Sequence, residues 1–588
     1  MKVAARAERP PPSTASPPSS LPSWCWPLLW LGVTVATAVL VRLPGPAVLD
    51  PDEHAAALYF DRLAAGQRLE EPLLSAPKPL LTVVHGLAWT VGHDWRLLEA
   101  LTVAAFALAV VCLARAAGRL AGWPAAAASA VAVASSGPLV LQAARGNSLV
   151  FALAGWSVAL DALTRSRPGP VGVPARPDAP GRAGASTDGA TRSGRPGASP
   201  SGVSAEAAGV PAQAGARPGW GLAAAALALA ALARVEGWLL LPLAAAYGVL
   251  AWRRGERRAA VLLVPLAVPL LWLAHDWLLT GDPLYALGVP ERYTDLVAGR
   301  DVVPPASWLA LVGRRYAADP LLLALAAGGA VWLARRRAWV WLAGIGVASI
   351  GVLTLLGFEA WRGTYVSWRY YDPADVAVRL AAAVATARLA TAAAPRLRPA
   401  AARVTAAVTG GRRRVPTGLH DPPAGAAAGH GLSGAAWAGA TVGAALLVSV
   451  ACWPLAPWDP GVDSTLDRDT RLSANAATAV GILRPVAEEP GTIVAVSGPQ
   501  RVRVALELGL PLGRARDLFL AARAAPLDRA LAGSAAVFHD ADGDRPPERF
   551  APLSVTTPTT VGTVELEPLR TDPGRGLYVH RVREAGSG

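Results

Sequence analysis

Leu97-Leu-Glu-Ala-Leu-Thr-Val-Ala-Ala-Phe-Ala-Leu-Ala-Val-Val-Cys-Leu-Ala114 carries one charge, Glu99, and is closed by Arg115 and Arg119. As a helix rising 1.5 Å per residue it is about 27 Å long, close to the ~30 Å hydrocarbon core of a bilayer. Runs of this kind recur along the chain. They predict spans at residues 24–43, 97–114, 123–143, 148–164, 219–234, 237–252, 259–275, 319–334, 338–357, 373–392 and 432–454. The sequence therefore reads as an α-helical polytopic membrane protein of about 11 transmembrane helices. Composition agrees: of 588 residues 53% are hydrophobic and 16% charged, where a soluble domain carries about 25% charged.

The net charge of +13 raises a nucleic-acid partner as a first idea. The arginines argue against it, because they fall in short groups between apolar runs, as in the cytoplasmic loops of membrane proteins. With the N-terminus inside, the inner segments hold Lys2, Arg6, Arg9, Arg115, Arg119, the Arg-rich stretch 165–217, Arg253, Arg254, Arg257, Arg258, Arg335–Arg337, Arg396, Arg398, Arg403 and Arg412–Arg414. The first outer loop holds the acids Asp50, Asp52, Glu53, Asp61, Glu70 and Glu71. The span at 373–392 contains Asp375, Arg379 and Arg388, yet omitting it would put Arg412–Arg414 outside. Cys25, Cys112 and Cys452 lie in or beside apolar runs and form neither a metal spacing nor a disulfide framework.

These signals divide the chain. Residues 1–23 are expected to be a disordered cytoplasmic N-terminus, and 24–165 a first membrane part with its outer loop at 44–96. Residues 166–218, rich in Pro, Gly, Ala, Ser and Arg, cannot bury enough apolar surface to offset their ordering entropy and read as a disordered cytoplasmic insert. A second membrane part at 219–394, a cytoplasmic linker at 395–431 and a last helix at 432–454 follow. Residues 459–588 alternate short apolar strands at 492–497, 535–538 and 576–582 with helices at 501–508 and 521–531, and predict a small extracytoplasmic α/β domain.

The first outer loop concentrates the chemistry. It reads Leu49-Asp-Pro-Asp-Glu-His54, then Tyr59, Gly66 and Ala76-Pro-Lys-Pro-Leu-Leu81. Its acids also suit a plain helix start, with Asp50 or Asp52 as cap and Glu53 facing the positive end of the dipole. Lys78 stands out, because Lys2 is the only other lysine in an arginine-rich chain. Keeping Lys there suits a need for a compact ammonium; interfacial snorkelling also explains it.

The run Pro51-Asp-Glu-His54, Gly66 and Pro77-Lys-Pro-Leu80 resembles the first periplasmic loop of the GT-C membrane glycosyltransferases, above all the lipid A aminoarabinose transferases and protein O-mannosyltransferases. Those families have Lys-Pro-Pro-Leu where this chain has Lys-Pro-Leu-Leu. Arg234-Val-Glu-Gly-Trp238, Asp276 to Leu284 and Arg369-Tyr-Tyr371 are similar too, so the resemblance covers most of 24–390 and leaves out the tail. It implies a sugar transferase drawing on a polyprenyl-phosphate-linked sugar at the outer face, with a glycan, lipid or protein acceptor. Phosphate already leaves well, so no general acid is needed, in contrast to two-carboxylate glycosidases. The acceptor hydroxyl needs a base, for which Asp52 is the first candidate and Glu53 the second. One base and a direct displacement would invert the anomeric centre. The departing phosphate needs cations, and Lys78, Arg145, Arg234 and Arg369 fall at outer ends of spans. Glu236 is a simple partner for Arg234.

His54 beside Asp52 and Glu53 makes a divalent cation conceivable, although three neighbours at a helix start cannot all face one ion. No cofactor is assigned. The tryptophans near span ends fit an aromatic belt. Two rival readings are a transporter or flippase and a non-catalytic scaffold presenting the tail. An Ala- and Arg-rich chain with almost no Lys suggests a GC-rich bacterium and its plasma membrane.

Overall fold

The computed structural model describes residues 25–41, 47–49, 51–69, 73, 75–165, 219–297, 308–317, 319–363, 371–409, 442–445, 447–449, 460–497, 500–541 and 547–586. The expected insert at 166–218, most of the last span, and Arg369 lie outside them.

Helices α1 (Cys25–Leu40), α2 (Pro51–Ala64), α3 (Pro79–Gly92), α4 (Trp95–Ala121), α5 (Trp123–Ala134), α6 (Gly137–Ala144) and α7 (Ser148–Thr164) form the first membrane part. Then come α8 (Trp220–Ala233), α9 (Leu241–Arg253), α10 (Val268–Thr280), α11 (Tyr285–Val297), α12 (Trp308–Ala317), α13 (Pro320–Arg335), α14 (Trp339–Gly346), α15 (Val352–Trp361) and α16 (Asp372–Thr409). Helix α16 thus runs on through the first part of the stretch read as a linker. Among the described residues, five helical segments are long and apolar enough to cross a bilayer, or six if the bent pair α5–α6 counts as one, against eleven expected. The other apolar helices have 14 to 17 residues and fall short on length.

The outer faces of these helices settle the environment. Leu270 (68% exposed), Ile350 (69%) and Trp361 (71%) lie open on apolar helices. In water such faces would be costly; in lipid they are the expected surface, and the chain is a multi-pass membrane protein. Helix α4 is the central element, buried along most of its length, whereas the segment Trp339–Trp361 is mostly open.

Helices α5 and α6 meet at a 59° bend. Gly137-Pro138 follows Ser135-Ser136 there, and a proline at the first helical turn restarts a helix rather than extends one. The buried Arg379 of α16 donates through Nη1 to the Ala132 carbonyl at 3.0 Å, satisfying an acceptor in the last turn of α5. The mid-span Arg379 thus has a structural task at the end of α5.

The tail opens with α17 (Pro460–Ala487) and α18 (Arg501–Leu508) around strands β1 (Val494–Val496), β2 (Ala515–Asp517), β3 (Ala536–Asp540), β4 (Thr559–Val561), β5 (Val564–Asp572) and β6 (Leu577–Glu584). One sheet runs in the order β2-β1-β3-β6-β5-β4. β1 lies parallel to β2 and β3, and the remaining pairs are antiparallel. Helix α17 packs Leu483 and Ala479 on one face of the sheet, and Leu531, Phe550 and Leu553 cover the other. This domain does not hang free. Val502, Ala505 and Leu512 pack on Ala55, Leu58 and Tyr59 of α2, and the Trp95 indole donates to Glu507 at 2.8 Å.

Candidate active site

Helix α2 begins at Pro51, so Asp52 and Glu53 sit in its first turn, where bare N–H groups favour carboxylates. Lys78 is the residue before α3, extended at φ −121° and ψ 108° and followed by Pro79. Proline excludes the helical region for the residue before it, so this backbone is fixed in sequence. Upstream, the Leu73 and Ser75 carbonyls are held by two phenols. Tyr59 donates to the Ser75 carbonyl at 2.6 Å and Tyr285 to that of Leu73 at 2.8 Å. Burial pushes the Tyr59 phenol well above its ordinary value, which keeps its proton in place.

The ammonium of Lys78 lies 3.4 Å from Glu53 Oε1 and 3.8 Å from Asp52 Oδ2. The two carboxylates differ in surroundings. Glu53 is wholly buried; Oε1 also receives the Ser148 N–H at 3.3 Å, and Oε2 lies 3.5 Å from His85 Nδ1. Burial, with the Lys78 charge adding, pushes the His85 imidazole down to about 4, so it is neutral at neutral pH. The Ser148 N–H belongs to the first turn of α7, whose positive dipole end faces Glu53. Asp52 keeps 21% of its side chain open.

The turn before α7 explains how that N-terminus gets so close. Gly146 has φ +72°, and a Cβ there would come within 2.5 Å of Leu49. Asn147 caps α7, accepting from the Leu149 N–H at 2.9 Å. Arg234, extended at the end of α8, donates to Asn147 Oδ1 at 3.3 Å and Ser148 Oγ at 3.4 Å. It also grips Glu236 with two donors, Nε reaching Oε2 at 3.0 Å and Nη2 reaching Oε1.

Sequence reasoning had put Arg145 beside the lipid phosphate. In the fold its Nε and Nη2 both reach Asp469 Oδ2 of α17 at 2.7 Å, tying the tail to the end of α6. Asp52, Glu53 and Lys78 meet directly. Arg234 joins them through Ser148, Arg145 carries a carboxylate of its own, and Arg369 lies outside the described residues. His54 is buried with its ring edge against Trp95, centroids 4.7 Å apart. No group of three His, Cys, Asp or Glu among the described residues could hold a metal ion.

Asn147, Ser148 and Asp469 are not singled out by the sequence, which offers His85 only as a satisfied or interfacial histidine. Gly146-Asn147-Ser148 does carry a helix-start signal, but nothing local shows which carboxylate that start would face.

No family model matches the sequence, and no curated protein matches it. Solved structures do. ArnT from Cupriavidus metallidurans bound to undecaprenyl phosphate aligns at a TM-score of 0.50 with 16% identity, over 96% of this chain and 99% of that one. The chain shares the fold of that structure. At that identity the likeness concerns the fold, and it agrees with the resemblance carried by the loop motif. Apo ArnT aligns at 0.48 with 14% identity, over 95% of this chain and 98% of that one. The Archaeoglobus fulgidus oligosaccharyltransferase tethered to an acceptor peptide aligns at 0.41 with 12% identity, over 89% and 70%. The ArnT match spans nearly the full length, so the shared fold includes the tail, which the sequence resemblance leaves out.

Proposed function

We propose that the protein is an inverting membrane glycosyltransferase. It moves a sugar from a polyprenyl-phosphate donor to a hydroxyl acceptor at the outer face of a bacterial plasma membrane. Its N-terminus then lies in the cytoplasm and its α/β tail outside. The observation that carries this reading is the Asp52–Lys78–Glu53 cluster, a partly open carboxylate and an ammonium backed by a buried second carboxylate, in a fold shared with a protein that holds undecaprenyl phosphate.

Asp52 is the base, because its carboxylate is the open one. It takes the proton of the acceptor hydroxyl as that oxygen bonds to the anomeric carbon. The carbon–oxygen bond to phosphate breaks, and polyprenyl phosphate leaves with the electron pair. Glu53 is a positioning residue, which holds Lys78 by charge and is itself held by the Ser148 N–H. Lys78 is freer than Arg145 to turn to phosphate, because its contacts of 3.4 and 3.8 Å are long beside the 2.7 Å of Arg145 to Asp469. Arg234 and Arg369 supply further positive charge.

The test is transfer of radiolabelled sugar from polyprenyl-phosphate donors in membranes holding wild type or Asp52→Asn at equal insertion. A loss of about 10²-fold or more is expected for a missing general base. Equal transfer by both would refute the assignment.

A further inference from the structure

A second charged cluster lies at the far ends of α4 and α7. Asp161 is 2% exposed and is met by three guanidiniums. Arg165 Nη2 reaches Oδ2 at 2.6 Å, Arg119 Nη1 reaches Oδ1, and Arg115 Nε lies 3.8 Å from Oδ1. Arg119 Nη1 also donates to the Asp161 carbonyl at 2.8 Å and to Thr164 Oγ1 at 3.4 Å. The i,i+4 spacing of Arg115 with Arg119 and of Asp161 with Arg165 puts each pair on one helix face.

One carboxylate cannot balance three guanidiniums, so the cluster keeps a surplus of two positive charges. The carboxylate is inside and the cations are outside, with Arg115, Arg119 and Arg165 open by 29, 32 and 36%. Among the described residues, Arg119 Nη1 and Arg165 Nη2 are the nitrogens that make the cluster's hydrogen bonds, so most of its N–H donors have no partner there. A guanidinium fork matches phosphate oxygens in pairs.

The cluster's depth points to a lipid. Arg115 lies over the Trp26 ring at 5.7 Å, and Trp26 stacks on Trp123 with centroids 5.9 Å apart. Tryptophans gather at the level of lipid headgroups. Leu28 and Leu31 of the adjoining α1 are open by 57 and 52%, which gives acyl chains an apolar track beside the cations. The candidate active site is at the opposite ends of the same helices, where Trp95 begins α4 and Ser148 begins α7. At 27 residues, α4 is about 40 Å long, enough to put the two sites on opposite membrane faces.

We infer that Arg115, Arg119 and Arg165, arranged around Asp161, bind the phosphate headgroup of an anionic phospholipid in the leaflet opposite the active site. Asp161 is a positioning residue, which gathers the three cations without cancelling them. The inference needs the membrane setting and not the transferase activity.

The full-length protein is delipidated in neutral detergent and titrated with phosphatidylglycerol or phosphatidylcholine, and bound lipid is read by native mass spectrometry. Wild type is expected to prefer phosphatidylglycerol, and Arg119→Gln with Arg165→Gln to bind it about thirtyfold more weakly, from the ~1 kcal/mol that each of the two basic residues near anionic lipid supplies. Arg253→Gln with Arg254→Gln removes equal charge elsewhere and is expected to bind like wild type. Arg115→Gln leaves both hydrogen-bonded pairs in place, so its expected weaker loss still tests the site if the double variant fails to fold. Equal weakening in the Arg253/Arg254 variant, no preference in wild type, or unchanged binding in Arg115→Gln alongside an unchanged or unfolded double variant would overturn the inference. Displacement of the lipid by millimolar inorganic phosphate would overturn the lipid as the ligand and assign the site to free phosphate.

Discussion

Replacing Lys78 by Met keeps most of the side-chain stem and removes the charge, which separates the two tasks given to this residue. At 3.4 Å from Glu53 and 3.8 Å from Asp52, the ammonium is worth about 5 and 4 kcal/mol of raw attraction at an effective dielectric of 20. Desolvation offsets part of this, and breaking a buried pair by removing one partner costs about 3–5 kcal/mol, because the other charge is left uncompensated. Glu53, wholly buried and 3.4 Å from the ammonium, is the charge that loses this partner. Lys78→Met is therefore expected to lower thermal stability in detergent and to reduce sugar transfer by about 10²–10³, the usual size for a lost charge-stabilising group. Glu53→Gln on top of Lys78→Met removes that buried charge. The double variant should recover most of the stability and none of the transfer. Assayed at matched insertion, wild-type transfer by Lys78→Met would refute the phosphate role. Recovery of transfer together with stability in the double variant would show that Lys78 serves folding alone.

Other consequences concern the parts around the cluster. A double-mutant cycle on Arg145→Ala and Asp469→Ala should give about 1 kcal/mol of coupling in stability, since both side chains are partly exposed; zero coupling would mean that the tail docks without this pair. Gly146→Ala should destabilise by about 1–3 kcal/mol, because it puts a Cβ against Leu49 at a positive φ; an unchanged melting temperature would refute the tight approach of α7 to the loop. The depressed His85 value of about 4, against 6.5 unfolded, means that the unfolded chain binds a proton first as pH falls. Stability should therefore drop by about 3 kcal/mol between pH 6.5 and 4. His85→Gln should lose that part of the acid slope, and an identical slope in the variant would exclude His85 as its source.

Local signals carried much of the secondary structure. The helix at 501–508 coincides with α18, because its apolar positions recur at helical spacing before Gly509, whose φ is +68°. The helix expected at 521–531 is two, Leu518–Ala524 and Leu527–Leu531, since Pro526 interrupts the ladder. The span expected at 123–143 bends by 59° for the same kind of reason at Gly137-Pro138. Strand β2 was missed because Ala515-Arg-Asp517 is short and polar, and is a strand only because β1 lies beside it. β5 was missed because its alternation is broken by Pro568 and a register shift against β6.

The sequence by itself determined the solvent of this protein and the neighbourhood of its chemistry. Hydropathy sums over consecutive residues, so a bilayer can be read from apolar runs, and Asp52, Glu53 and Lys78 share one loop. Tertiary structure decided the charge state of that neighbourhood. Arg145 is answered by Asp469, 324 residues away, and Glu53 by the N-terminus of α7, 95 residues away. Coulomb attraction depends on distance in space, and which helix end comes to rest against which carboxylate is fixed by packing between elements that no local pattern records.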